Sequence, residues 1–331
     1  MMNFLTKTIV FIVCCILSLN ALGEPVAMFT VRVTDQSGAV VSNAVVDAGF
    51  VESIKPGWGW GGGKERIWKG KTDEKGLCVV KESCQEEAGV AVGKDGYYWS
   101  SGYKLHFTNI VGVIMQQWQP WNPTLEVVLK KIGNPIPMYA RWVYDLMIPA
   151  VDQNIGFDLE KSDWVAPYGK GEVSDLIFKL ERKLGGKTKS GFQIHDTTLT
   201  ISFSNAGDGI QSILVPPRNG RSELRLPAVA PEGGYLMNVV KRKYREDGKP
   251  SFSDVREDQN YLFRVRTKKD ENGNIVSALY GKIHGDFEDF DRGKLSFRYY
   301  LNPTPNDRNL EFDPNKNLFK NLKSGEEVRE P

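Results

Sequence analysis

The chain has 331 residues, 40% of them hydrophobic and 25% charged, with a formal net charge of +2. That is the composition of a globular protein able to bury a sizeable core, and its length suits two domains. So small a net charge excludes an electrostatic grip on nucleic acid or anionic lipid as the main activity.

The first 23 residues read as a secretory signal. Lys7 supplies the positive charge, Thr8 to Leu17 form a short apolar run, and Ala21-Leu22-Gly23 places small residues at the cleavage site. The run is shorter than the roughly 20 residues that cross a bilayer. The mature chain is expected to begin at Glu24 and to work in the periplasm, at the cell surface or outside the cell, with no membrane span after cleavage. Cleavage removes Cys14 and Cys15 and leaves Cys78 and Cys84. In an oxidising compartment two such cysteines are expected to form a disulfide that pins a local hairpin.

Residues 24–131 alternate in the manner of short strands. Phe29, Val31 and Val33 face one way, and Thr30, Arg32 and Thr34 the other. Asp35-Gln36-Ser37-Gly38, Thr72-Asp73-Glu74-Lys75-Gly76 and Lys94-Asp95-Gly96 supply turn chemistry. Leu125, Val127 and Leu129 close the segment. No convincing helix lies between these pieces, which predicts an antiparallel sandwich.

Three of the pieces carry a resemblance. Val33-Thr34-Asp35 with Ser37-Gly38 and Val41-Ser42-Asn43-Ala44-Val45-Val46, then Thr72 to Gly76, then Lys94-Asp95-Gly96-Tyr97-Tyr98 occur in the order of the signatures of the carboxypeptidase regulatory-like domain. That family implies a transthyretin-like, Ig-like β-sandwich, an accessory module with no catalytic residues to carry over. The chain departs from it in the Gly- and Trp-rich insert from Lys55 to Gly63.

Ile132-Gly133-Asn134-Pro135-Ile136-Pro137 marks a boundary, because its prolines break helix and ladder alike. Residues 138–322 are expected to form a larger antiparallel β-sandwich or jelly-roll, so the fold class is all-β. Leu199 to Phe203 alternates. Tyr261 to Arg266 and Ile275 to Tyr280 flank Asp270-Glu271-Asn272-Gly273-Asn274, a hairpin signal. Val173, Leu176, Ile177, Leu180 and Leu184 fit a helical stripe, whereas Leu176, Phe178 and Leu180 fit a strand, which the neighbouring Gly185-Gly186 and the all-β surroundings favour. Lys241-Arg242-Lys243 and Arg245 read as a solvated strand end. Residues 323–331 are charged and expected to be disordered.

Chemistry is scarce. The three histidines, His106, His195 and His284, show no metal-binding spacing, and each is expected to be an ordinary surface or edge-strand residue. No nucleophile elbow occurs. Gly57 to Lys64 lacks the hydroxyl and spacing of a phosphate loop. Asp286, Glu288, Asp289 and Asp291 are weak candidates for Ca²⁺, which takes about six to eight oxygens. No cofactor is implied. Tryptophans in Gly- and Pro-rich loops are the distinctive feature, and Trp58, Trp60, Trp118 and Trp121 are the expected ligand contacts. The leading expectation is an exported, non-catalytic binding or structural protein that contacts polysaccharide or a surface protein through these loops. The competing one is a secreted carbohydrate-active hydrolase with its acids in the second domain.

Overall fold

The computed structural model describes residues 25–51, 65–84, 86–107, 117–216 and 220–331. The segment expected to be a secretory signal, Trp58, Trp60 and the rest of the Gly-rich insert lie outside the described residues.

Within them the chain is built from strands and contains no α-helix. In the first part these are β1 (Val26–Asp35), β2 (Val45–Val51), β3 (Glu65–Lys71), β4 (Leu77–Ser83), β5 (Glu87–Gly93), β6 (Tyr97–Tyr98), β7 (Ser100–His106) and β8 (Thr124–Lys131). There follow β9 (Tyr139–Met147), β10 (Asn154–Asp158), β11 (Asp163–Trp164), β12 (Leu176–Lys187), β13 (Gln193–Ser202) and β14 (Gly209–Leu214). The series ends with β15 (Arg221–Ser222), β16 (Asn238–Arg245), β17 (Phe252–Ser253), β18 (Gln259–Lys269), β19 (Ile275–Glu288) and β20 (Lys294–Asn302). Two compact units result. One takes the residues up to Ile132 together with 220–223, and the other takes the remainder.

The first unit is a sandwich of a four-stranded sheet, β4-β1-β8-β6, and a five-stranded sheet, β15-β7-β5-β2-β3. Alternation along β1 puts Ala27, Phe29, Val31 and Val33 inside, against Val46, Ala48 and Phe50 of β2 and Val90 and Val92 of β5. Phe29 meets Phe50 and Phe107 at centroid distances of 6.4 Å. Burying each such ring contributes about 1.5–3 kcal/mol, which fixes the register of the strands that carry them. One pair departs from the expected antiparallel order, since β1 and β8 run parallel.

The turns of the first unit are built by short polar side chains. Asp35 Oδ1 accepts from Ser37 N at 2.9 Å, Ser37 Oγ at 2.6 Å and Ala39 N at 3.1 Å. The Ser37 hydroxyl does most to hold the Asp35 carboxyl down to about 2. Asp73 Oδ1 takes the N–H groups of Lys75 and Leu77 in the same way. Gly76, at φ 73°, fits because a Cβ there would lie 2.7 Å from the Val33 carbonyl oxygen.

Cys78 and Cys84 are not joined. They sit six residues apart on one extended stretch, Cys78 inside β4 and Cys84 just beyond it, where its N–H continues the pairing by donating to Pro25 O. Six extended residues span about 20 Å, whereas a disulfide needs its Cα atoms within about 7 Å. The expected hairpin does not form because no turn separates the two. Burial also pushes the Cys78 thiol pKa up, which slows its oxidation. Peptides from the native protein, alkylated in denaturant without reductant, should therefore carry the label on both cysteines. A linked peptide in the mass spectrum would contradict this.

The second unit packs a six-stranded sheet, β11-β10-β12-β13-β16-β17, on a five-stranded one, β14-β18-β19-β20-β9, both antiparallel. Phe157 and Phe178 on the first interleave with Phe287, Phe297 and Tyr299 on the second. Leu176, Phe178 and Leu180 are buried on alternate positions of β12, which is the strand reading of that segment. At the hairpin of β18 and β19, Asp270 Oδ1 accepts from Asn272 N and Asn274 N.

The tail differs from expectation. Glu326 holds Arg141 at 2.9 Å and its carbonyl accepts from Trp142 N, so the tail docks on the edge strand β9. Val328 is buried and Glu330 reaches the His284 ring. A polar sequence is ordered here because it satisfies an otherwise open strand edge.

Candidate functional site

The loop tryptophans divide sharply. Trp118 is 5% exposed and donates from Nε1 to Cys84 O at 2.8 Å. It is a core residue with its polar handle satisfied, and no ligand can reach its face. Trp121 is half-buried, with its backbone N–H donating to Gln119 Oε1. Trp58 and Trp60 are outside the described residues. The exposed indole in a concavity is one the sequence reading did not select, Trp99.

Trp99 is the single residue between β6 and β7, and it is 40% exposed. Its carbonyl accepts from Glu223 N at 2.8 Å, which anchors the backbone. The indole lies over the Cα of Gly93, the last residue of β5. A Cβ on Gly93 would stand 2.3–2.7 Å from three ring carbons, so only glycine lets the ring settle there. The indole thus rests on Gly93, and both line a concavity of about 460 Å³ with Asn43, Lys71, Lys94, Asp95 and Tyr97 around it. Lys94 Nζ donates to Ser42 O at 2.9 Å, and the Nζ atoms of Lys94 and Lys131 both stand 6.0 Å from the Tyr97 centroid. The arrangement offers a preorganised aromatic plate with amide, ammonium and carboxylate groups at its rim. The sequence hides it because Tyr97-Tyr98-Trp99 reads as one more apolar strand, and nothing local shows that Gly93 will lie against the third ring.

The proposed calcium ligands are spent elsewhere. Asp286 is buried, pairs with Lys241 Nζ at 2.7 Å and accepts from Tyr261 Oη at 2.6 Å and Arg256 N at 3.0 Å. Asp289 accepts from Ser296 Oγ at 2.6 Å and from Arg292. Asp291 pairs with Lys243 at 2.8 Å, and Glu288 is exposed at the end of β19. Among the described residues no three His, Cys, Asp or Glu side chains converge as a metal site.

The basic run is the end of β16, as expected, with Arg242 solvated but Lys241 turned inward. Lys241 is buried because β16 turns its odd-numbered positions inward. The histidines are dispersed, yet two of them are not the surface residues expected. His106 is exposed beside Glu87 in the first unit. His195 is buried on β13, and His284 is buried on β19 with Nδ1 3.0 Å from Glu330 Oε2. Burial does most to push His284 down to about 4.

Two acids of the second unit have the opposed shifts of a proton donor and acceptor. Burial pushes Asp175 up against the pull of Arg266, whereas four backbone N–H donors outweigh burial and lower Asp158. They are 2% and 1% exposed, and Arg266 clamps them. Its Nε and Nη2 meet the two Asp175 oxygens at 2.8 and 3.0 Å, and Nη1 meets Glu160 at 2.7 Å. This is a clasp that ties the 158–175 loops to β18. At a concavity of about 600 Å³ on this unit the carboxylates are Asp196, held by Arg242 through two 2.9 Å hydrogen bonds, and Glu246, held by Lys249 at 2.9 Å.

No family model and no curated protein matches the chain. Among solved structures, the shaft pilin SpaA from Lactobacillus rhamnosus GG is similar at 13% identity, over 57% of this chain and 90% of that one. The TM-score is 0.19, too low for the likeness to carry an argument. No helix among the described residues is long and apolar enough to cross a membrane.

Proposed function

We propose that the chain is an exported, non-catalytic binding protein whose first unit holds a polysaccharide against Trp99. The carrying observation is the 40% exposed Trp99 indole, resting on Gly93 at the wall of a largely apolar concavity that has Asn43, Lys71, Lys94 and Asp95 in its lining. A pyranose ring presents an apolar face of C–H bonds and a rim of hydroxyls, and a flat ring bordered by mixed donors and acceptors is its complement. The signal-like start of the sequence supports export.

The resemblance to the carboxypeptidase regulatory-like domain fits the same reading. The three turn pieces on which it rests gather at one end of the sandwich. Gly76 O accepts from Val33 N, Lys131 pairs with Asp35 at 3.3 Å, and Tyr97 pairs in register with Lys131. Trp99 follows the third piece directly, so the accessory module carries its ligand surface on its signature turns.

Calorimetric titration against a panel of polysaccharides tests the assignment. Trp99→Ala should lower affinity about 10- to 100-fold, the loss typical of a central tryptophan anchor. Gly93→Val should do nearly the same by displacing the indole. Unchanged affinity in Trp99→Ala would remove the site from the account.

A further inference from the structure

The outward face of the six-stranded sheet carries the concavity of about 600 Å³ in the second unit. The alternation that turns Leu180, Leu199 and Lys241 inward turns Lys183, Asp196 and Tyr244 outward, and register sets those three side by side on β12, β13 and β16. All three line the concavity, together with Ile194, Arg242 and Glu246. Ile194 settles against Gly185, where a Cβ would stand 2.9 Å from its Cγ2.

Tyr244 is held by two neighbours. Phe252 of β17, its partner in register, stacks on it at a centroid distance of 5.5 Å and 19° between planes, and the Arg242 guanidinium stands 5.4 Å from its centroid. Arg242 is itself fixed, because its Nε and Nη2 donate to the two Asp196 oxygens at 2.9 Å. The side chains of Arg242 and Asp196 are 51% and 45% exposed, so a ligand reaches both.

The charges here are spent on one another. The Arg242 hydrogen bond does most to lower the Asp196 pKa, and Lys183 adds to it. Glu246 is held by Lys249 at 2.9 Å, and the Arg245 guanidinium lies 4.7 Å from the Phe192 centroid. An anion would meet two carboxylates and compete with them for their cations. A neutral hydroxyl would not. The bidentate pair leaves Arg242 Nη1 as a donor and a lone pair on each Asp196 oxygen as an acceptor, and a hydroxyl is donor and acceptor in one group. With the Tyr244 ring and Ile194 beside them for the C–H face of a sugar, these groups match an uncharged glycan.

We propose that this concavity is a second carbohydrate site, selective for uncharged chains, with Tyr244 as its ring contact and the Arg242–Asp196 pair as its polar one. It shares a ligand class with the Trp99 site but none of its residues, and it stands or falls separately.

The test uses Trp99→Ala protein, so that the first site contributes nothing. Dextran, laminarin, mannan and pullulan serve as uncharged probes and polygalacturonate as the acidic one. At least one uncharged chain should bind saturably, with the same affinity at low and high salt, and polygalacturonate should bind more weakly. Tyr244→Ala and Asp196→Asn should each lower that affinity about tenfold, and the Tyr244 ring signals should shift during an NMR titration. If Tyr244→Ala fails to fold, Asp196→Asn and the Tyr244 shifts decide the matter. No binding of any uncharged probe, tighter and salt-sensitive binding of polygalacturonate, or full affinity in Asp196→Asn would overturn the proposal.

Discussion

Replacing Arg266 by Met should cost the second unit about 3–5 kcal/mol, the usual penalty for removing one partner of a buried ion pair. Arg266 sits at φ 55° where the β18–β19 register shifts, and its guanidinium is the counter-charge for Asp175, Asp158 and Glu160. Without it two almost fully buried carboxylates remain, and burial already pushes Asp175 up. The folded variant would hold protons there that the unfolded chain releases. Its deficit should therefore narrow as pH falls toward the carboxylate range and be widest at neutral pH. Urea denaturation at two pH values reads both quantities. A loss below about 1 kcal/mol at neutral pH would mean that solvent, and not Arg266, satisfies the acids.

The second large effect is at the Lys241–Asp286 pair, which is buried on both sides and closed by the Tyr261 hydroxyl. Lys241→Met should destabilise by about 3–5 kcal/mol, because it leaves the buried Asp286 carboxylate without its cation, held only by Tyr261 Oη and the backbone N–H groups of Arg256 and Phe287. Adding Asp286→Leu should recover much of that loss, since an apolar pair of similar volume needs no desolvated charge. If the double variant is as unstable as the sum of the single ones, the pair is not the coupled unit described here.

Local alternation made much of the architecture legible. Phe29, Val31 and Val33, or Leu199 and Ile201, can be sorted to one face from their spacing alone. Asp270 with Asn272 and Gly273 specifies its hairpin through its own side chain. The failures share one physical origin, namely partners distant in sequence. Lys241-Arg242-Lys243 looks solvated until Asp286 arrives from another strand to neutralise the inward lysine. Trp99 looks like a core strand residue until Gly93 supplies a floor for its ring, whereas Trp118 looks exposed until the Cys84 carbonyl accepts its N–H. Cys78 and Cys84 invite pairing by compartment and closeness, but nothing in Val79 to Ser83 turns the chain, and strand geometry keeps the sulfurs apart. The tail is polar throughout, and its order depends on the open edge of β9.

The most direct measurement is an NMR titration of the indole N–H signals with the polysaccharide that the calorimetry selects. The chain has eight tryptophans, so few signals need assignment. The Trp99 indole and the Gly93 amide should shift together and saturate at the calorimetric affinity, while the Trp118 indole stays fixed. Saturable binding that leaves Trp99 and Gly93 unmoved would contradict the account.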